Sequence, residues 1–168
     1  MFDYDKAAQY WYDKMPAERY LPLDEHYARV KEFIKSHNTL ALATALNNET
    51  HITPLEYFYY KGFFYIFTEG GEKFKYLKEN TTVSFTIYDS YKANAVKSFV
   101  ADGFADVIDE ESEEYAEIFK QKGLNLEHLK AQGVGLHLLK LTPTSYNYLD
   151  SSLKQEGYNI MQGSLWCV

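Results

Sequence analysis

Phe63-Phe64-Tyr65-Ile66-Phe67-Thr68-Glu69-Gly70-Gly71-Glu72-Lys73-Phe74-Lys75-Tyr76-Leu77-Lys78-Glu79-Asn80-Thr81-Thr82-Val83-Ser84-Phe85 reads as strand, glycine loop, short helix, strand. Phe63 to Phe67 is a continuous apolar, aromatic run, the pattern of a strand covered on both faces. Thr68 ends the run, and Gly70-Gly71 reach backbone angles that other residues adopt only with strain. From about Glu72 the apolar positions Phe74 and Leu77 share one side of a short helix. Val83 and Phe85 then alternate with Ser84 and Thr86, the strand period. A glycine loop that feeds a helix N-terminus presents unpaired N–H groups and a positive dipole end, to which Lys73 adds a full charge. That combination suits an anion, most often a phosphate. Taken alone, the stretch reads more readily as a surface crossover with a solvated lysine.

The totals narrow the function classes. The chain has 168 residues, enough for one domain with a sizeable core, and is read as a single domain over 1–168. It carries 16 Tyr, 11 Phe and 2 Trp, which favours strands and pockets for flat ligands. A formal net charge of -7 argues against a nucleic-acid or acidic-membrane binder. The one cysteine, Cys167, cannot form an internal disulfide and offers no metal cluster. No stretch approaches the ~20 apolar residues of a membrane span, and no basic-then-apolar leader opens the chain. A cytoplasmic location is expected.

Outward from the opening stretch, residues 5–14 look helical, and Pro16 and Pro22 bracket a linker. Asp24 is the expected N-cap of a second helix with Tyr27, Val30, Phe33 and Ile34 on one face, ending near Ser36-His37-Asn38. Residues 1–37 read as a helical N-terminal appendage. In Leu40-Ala41-Leu42-Ala43-Thr44-Ala45-Leu46, large and small residues alternate, so one strand face permits a close approach. Asn47-Asn48-Glu49-Thr50 reads as a turn into a strand from about His51 to Tyr60, which Pro54 marks as an edge, bulge or site. Lys61-Gly62 makes a hairpin into Phe63. Lys97 to Ile108 is a strand in which Gly103 suggests a bend. Glu110, Glu111, Glu113 and Glu114 open a helix closed by Gly123, and Leu126 to Lys130 is a short helical piece. The last main strand runs from Val134 to Leu141 and stops at Pro143, with Tyr146 to Leu149 extending it. Six strands, mostly joined by hairpins, give a mainly β fold: a small closed antiparallel barrel with flanking helices.

No nucleotide-binding glycine motif, zinc motif, nucleophile elbow or CxxC is present. The five histidines lack metal-ligand spacing, and His137, between Leu136 and Leu138, reads as a core or interface residue. Metal ligands are therefore not expected, and any enzyme built on this chain leaves the hard step to a cofactor.

The order Leu42-Ala43-Thr44, Pro54, Phe67-Thr68 with glycines and Lys73, then Leu77 and Asn80 before Val83-Ser84-Phe85 resembles the FMN-binding split-barrel superfamily, the pyridoxamine 5′-phosphate oxidase-like proteins. Gly103-Phe104-Ala105 and Leu141-Thr142-Pro143 fit as well, and the likeness covers roughly residues 25–150. The sub-type is similar to the nitroimidazole-resistance flavoproteins. The resemblance implies a six-stranded antiparallel Greek-key split barrel and a homodimer with FMN at the interface. It implies phosphate contacts from Gly71, Glu72 and Lys73, and a ring lying along Pro54, Leu55 and Glu56 beside Phe67 and Thr68, with Thr44 also near the cofactor. Lys97 and Ser98 fall where relatives contribute from the second subunit.

The chain departs from the family pattern at Thr81, where relatives usually have Pro, and at Glu72, which repels a phosphate unless it points away. The Ser-Arg-Lys phosphate cluster of true pyridoxamine phosphate oxidases is thinned to Glu72 and Lys73, and their arginine-rich C-terminal motif is missing. The implied activity is thus an FMN-dependent oxidoreductase acting through flavin N5 on a small-molecule substrate other than pyridoxamine phosphate, with NAD(P)H a candidate electron donor. The catalytic residues stay unassigned. The alternatives are a non-catalytic flavin carrier or sensor and a haem-binding split barrel. Trp166 either reaches across the dimer or tethers the tail.

Overall fold

The aromatic run at 63–67 is a strand, and opposite sides of it enter two different cores. Phe64 and Ile66 point into the main core, while Tyr65 joins a second cluster with Tyr115, Ile118, Phe119 and Leu138. The computed structural model describes residues 1–15, 19–90, 92, 95–131, 133 and 135–166. Pro16, Val134 and Cys167, each used in the sequence reading, lie outside the described residues.

The helices are α1 (Tyr4–Gln9), α2 (Leu23–Lys35), α3 (Lys73–Leu77), α4 (Glu113–Lys122) and α5 (Leu126–Ala131). The strands are β1 (Thr39–Leu46), β2 (Glu49–Glu56), β3 (Phe58–Tyr60), β4 (Phe63–Thr68), β5 (Thr82–Tyr88), β6 (Lys97–Ile108), β7 (His137–Asp150) and β8 (Met161–Leu165). They form one antiparallel sheet of eight strands in the order β2-β1-β5-β6-β7-β4-β3, with β8 on β7. Among the described residues no ladder joins β2 to β3, so the curled sheet is a split barrel and not a closed one.

Eight strands replace the expected six for local reasons. The strand expected over 51–60 divides at Tyr57, which turns inward: its hydroxyl donates to the Ile34 carbonyl at 2.6 Å and its amide to the Asn38 carbonyl at 2.8 Å. The tail returns as β8 against residues 145–149 of β7. Pro143 does not stop the last strand, because it lies opposite Gly103 where the β6–β7 register shifts and no ladder bond is required of it. Gly103 is the bend expected there. A Cβ at that position would lie 2.1 Å from the Thr142 carbonyl oxygen, so only glycine lets the two backbones cross this closely.

The Lys61-Gly62 hairpin matches the sequence, and the turn expected over 47–50 is tighter, since Glu49 and Thr50 already pair in β2. Asn47 and Asn48 have φ of 50° and 67°, and Lys61 and Gly62 have 48° and 84°, the pairs of positive φ of twisted two-residue hairpins. In β1, Leu40, Leu42 and Thr44 point inward and Ala41, Ala43 and Ala45 outward. The first helix is shorter than expected and buries nothing. In α2 the N-cap is Pro22, Asp24 sits in the first turn, and Ser36 closes the helix in right-handed geometry, so Asn38 is not its cap. Among the described residues, no helix is long and apolar enough to cross a membrane.

Helix α2 caps the barrel with Val30, Phe33 and Ile34, and with one buried titratable group, His26. The His26 ring stacks on Tyr146 at 5.5 Å, and its Nε2 is 2.7 Å from the Tyr146 hydroxyl, while Nδ1 is buried with no hydrogen-bond partner among the described residues. Burial pushes the imidazole pKa down from its usual 6.5. The folded state therefore binds fewer protons than the unfolded one just below that value, and stability falls as pH drops through it. Denaturant titrations at pH 7.5 and pH 5.5 are expected to show this loss, with a shallower slope in His26→Gln. The buried carboxylate of Asp150, held below its ordinary range mainly by Ser152 and Lys97 against the effect of burial, contributes its own acid sensitivity only at lower pH.

Candidate functional site

At the end of β4 the chain leaves the sheet through a loop that Thr68 ties to itself. The Thr68 Oγ1 donates to the Gly70 carbonyl at 3.1 Å and accepts from the Gly70 amide at 3.4 Å. Gly70 and Gly71 follow with φ of 154° and 114°. Lys73 then begins α3 and turns back under the loop, where it is only 3% exposed. Its Nζ donates to the Gly70 carbonyl and lies 5.1 Å from the centre of the Phe74 ring. Burial pushes its pKa below the ordinary lysine value.

Among the described residues, no carboxylate pairs with this ammonium. A buried cation satisfied only by a carbonyl and a ring face is electrostatically incomplete, and an anion at the loop completes it. The amides of Gly71 and Glu72 make no hydrogen bond to the described residues either. A Cβ on Gly71 would sit 3.3 Å from Nζ, a tight contact, and the φ of 114° disfavours any residue but glycine there. The positive charge here belongs to Lys73 itself: α3 has five residues, too few for the extended helix dipole the sequence suggested. Phe67, Thr68, Glu69, Gly70, Gly71 and Leu136 line a wide depression of about 540 Å³ over the loop.

Glu72 does not face this cation. Its side chain is 77% exposed and leans to His51, with Oε2 3.7 Å from Nδ1. The His51 ring is itself stacked on Tyr76 at 5.8 Å. Thr44 is buried on β1 and donates to the His51 carbonyl at 3.4 Å, joining β1 to β2 beside the loop. Asn80 fastens the end of α3 to the same strand: Nδ2 donates to the Ala45 carbonyl at 2.7 Å, and Oδ1 accepts from the Thr82 amide at 3.0 Å.

Phe67, Thr68, Gly71, Glu72 and Lys73 thus gather where β4 passes through the loop into α3. Pro54, Leu55 and Glu56 lie on β2, an edge strand, as the proline requires; Leu55 packs on the core, and Glu56 pairs with Lys122 at 2.8 Å. Phe67 packs edge-on against Phe119 of α4 at 4.8 Å. Lys97 and the adjacent half-buried Ser98 begin β6. Lys97 pairs with Asp150 at 3.0 Å and lines a separate cavity with Arg29, His37 and Asp89.

His51, Tyr76 and His137 had no motif to announce them. His137, read as a core or interface residue, is 46% exposed on its side chain, with Nδ1 3.5 Å from Glu110, and meets Phe74 edge-on at 5.3 Å. Trp166 packs within its own chain: its indole N–H donates to the Gly62 carbonyl at 3.0 Å and its ring meets Phe64, Phe99 and Tyr146. The outer face of β2-β1-β5-β6 leaves Ile52, Tyr88, Val100 and Phe104 exposed around the small Ala41 and Ala43.

A family profile described as pyridoxamine 5′-phosphate oxidase matches residues 28–150. Among curated proteins, none matches. Several solved structures share the fold. The Campylobacter jejuni protein ChuZ aligns over 99% of this chain and 72% of its own, with 18% identity and a TM-score of 0.65. HutZ, the haem storage protein of Vibrio cholerae, aligns over 69% and 88% respectively, with 20% identity and a TM-score of 0.57. A FAD-binding protein of Mesorhizobium loti aligns over 71% and 89%, with 16% identity and a TM-score of 0.54.

The loop geometry is testable without any ligand. Gly71→Ala places a side chain at a positive φ and against the Lys73 amine, and is expected to lower unfolding free energy by about 1–2 kcal/mol. Gly135→Ala is the control, since its position is open and its φ is not positive. Urea titrations of both variants measure the difference, and equal stabilities would show that the loop does not require glycine.

Proposed function

This chain belongs to the pyridoxamine 5′-phosphate oxidase family, and on that premise we propose that it binds flavin mononucleotide and acts as an oxidoreductase on a small molecule. The observation that carries the reading is Lys73, a buried ammonium without a carboxylate partner among the described residues, beneath a diglycine loop. One terminal phosphate supplies the missing negative charge, with the Gly71 and Glu72 amides as further donors. The outward turn of Glu72 towards His51 removes the repulsion its sequence position threatened. A single buried cation on an open loop suits a phosphate monoester. The FAD-binding neighbour supports a flavin, and the choice of FMN over FAD rests on that loop.

In this reading Phe67 and Thr68 border the ring on one side and Pro54, Leu55 and Glu56 on another. Bound flavin would supply hydride or electron transfer at N5. The protein's part is to hold the phosphate, orient the ring and exclude water from its inner face. Pyridoxamine phosphate is not the proposed substrate, because the cation cluster that would hold its phosphate is absent from the sequence.

The reading includes a homodimer formed through the exposed outer face of β2-β1-β5-β6. Ala41 and Ala43 let a second backbone come close, while Ile52, Val100 and Phe104 supply apolar area. Ser98 shares the outer face of β6 with Val100 and Phe104, so the same docking brings it towards the partner's cofactor, whereas Lys97 points to the opposite face and pairs with Asp150.

Purified protein is expected to show a flavin spectrum, or to acquire one on addition of FMN, with FMN identified by mass after release. A Soret band would instead favour the haem function named for HutZ. Lys73→Ala is expected to weaken FMN binding by about 1–3 kcal/mol, the scale of a charge-assisted hydrogen bond. Unchanged affinity would remove the phosphate assignment. Sedimentation velocity is expected to show a dimer that Phe104→Glu converts to monomer; a dimer that persists would place the interface elsewhere.

A further inference from the structure

The six residues of β4 separate the diglycine loop from a second concavity, about 20 Å away at ~3.3 Å per residue. This cleft, of about 560 Å³, lies between α2, the β3–β4 turn and the tail. Its walls include Tyr27, Tyr59 and Trp166, and its rim carries Lys31, Lys35 and Lys61. No carboxylate lines it among the described residues. In a chain of net charge -7, three lysines around an aromatic cleft run against the composition.

Two features make this a formed site. Trp166 is held by its bond to the Gly62 carbonyl at 3.0 Å and meets Tyr59 at 6.5 Å between ring centres, so the aromatic wall is fixed before any ligand arrives. Lys31 and Lys35 stand one turn apart on α2, where like charges repel. Neither pairs with a carboxylate among the described residues, whereas Lys61 is already engaged by Glu117 at 3.1 Å. The Tyr59 hydroxyl makes no hydrogen bond to the described residues. The cleft therefore offers apolar ring surface, an uncommitted hydroxyl and two unpaired cations at one edge, in a volume within the ~300–1,000 Å³ of small-molecule sites.

We propose that this cleft binds a planar aromatic monocarboxylate, with its ring against Tyr59 and Trp166 and its carboxylate at Lys31 and Lys35. The aromatic walls alone would accept any flat apolar molecule, and the lysines alone any anion. Together they select a ligand that has both, with the charge at one end. The site shares no lining residue with the diglycine loop and does not depend on the flavin reading.

Isothermal titration of the full chain with 2-naphthoate tests this, with neutral 2-naphthamide as the matched probe. One-site binding is expected, weakened about tenfold both by the amide and by the double variant Lys31→Gln, Lys35→Gln, which changes only exposed side chains. Saturating FMN and the Lys73→Ala variant are expected to leave naphthoate affinity unchanged. The proposal is overturned by an absence of saturable binding at millimolar naphthoate. It is equally overturned if the amide or the double lysine variant binds as well as the parent pair. Full competition by FMN would show that naphthoate occupies the flavin site instead.

Discussion

The barrel depends on one close crossing of backbone, Gly103 over Thr142. Strands β6 and β7 pair over the whole length of β6, from Lys97 with Asp150 to Ile108 with Leu138, and the register shifts once, at Gly103. Below the shift β7 pairs with β4 on its other edge; above it, β7 pairs with β8. The bend is thus what lets one strand serve two neighbours facing different ways. It delivers β4 to its place between the main core and α4, and the end of β4 delivers the diglycine loop. A side chain at 103 would meet carbonyl oxygen and Cα atoms that belong to the backbone and cannot swing aside. The site is therefore built at the end of a strand whose position is fixed by steric exclusion some distance away.

What this scaffold holds is an unbalanced charge. A lysine with little exposed surface ordinarily has a carboxylate beside it, because desolvation of an ammonium outweighs what one carbonyl returns. Lys73 has the Gly70 carbonyl and the face of Phe74 instead. The nearest candidate for a counter-ion in sequence, Glu72, is exposed and leans towards His51 instead. Folding thus tolerates an unfavourable group, and the surrounding fixtures explain how: Asn80 pins α3 to β1, Leu77 is buried in the core, and Thr68 braces the loop. The strain sits where a ligand can relieve it, which is the expected location for a local departure from good packing.

Much of this was legible in the sequence wherever a local rule governs the structure. The Lys61-Gly62 turn, the Leu/Ala alternation of β1, the close of α4 at Gly123 and the bend at Gly103 all follow from short-range geometry, whereas Glu110 and Glu111 precede α4, whose N-cap is Ser112. The reading failed where a distant partner decides. Met161-Gln162-Gly163-Ser164-Leu165 has no strand pattern of its own and is a strand because β7 offers an edge. Pro143 would break a strand in isolation and is harmless opposite a register shift. In the candidate site, the loop and Lys73 could be read from the chain, but the orientation of Glu72 could not. It leans towards His51, and that contact bridges residues of β2 and the loop that no spacing rule connects.

The two ends of β4 show how one strand can carry two different electrostatic solutions. At the Thr68 end the cation is single, buried and held by backbone, so its field is less weakened by solvent than that of an exposed lysine. At the Phe63 end the cations stand on the rim of an aromatic cleft, where water and salt screen them, and most of any binding there must come from ring surface. Salt therefore discriminates between the ends: raised ionic strength weakens an anion held at Lys31 and Lys35 more steeply than one held at Lys73. The length of β4, roughly 20 Å at ~3.3 Å per residue, exceeds the screening length of about 10 Å at 0.1 M salt, so the two fields act separately. The heavy use of aromatic residues then has a structural reason as well as a functional one. Their large rings fill a barrel split along one side, and the same rings that close its interior line the cleft at its mouth.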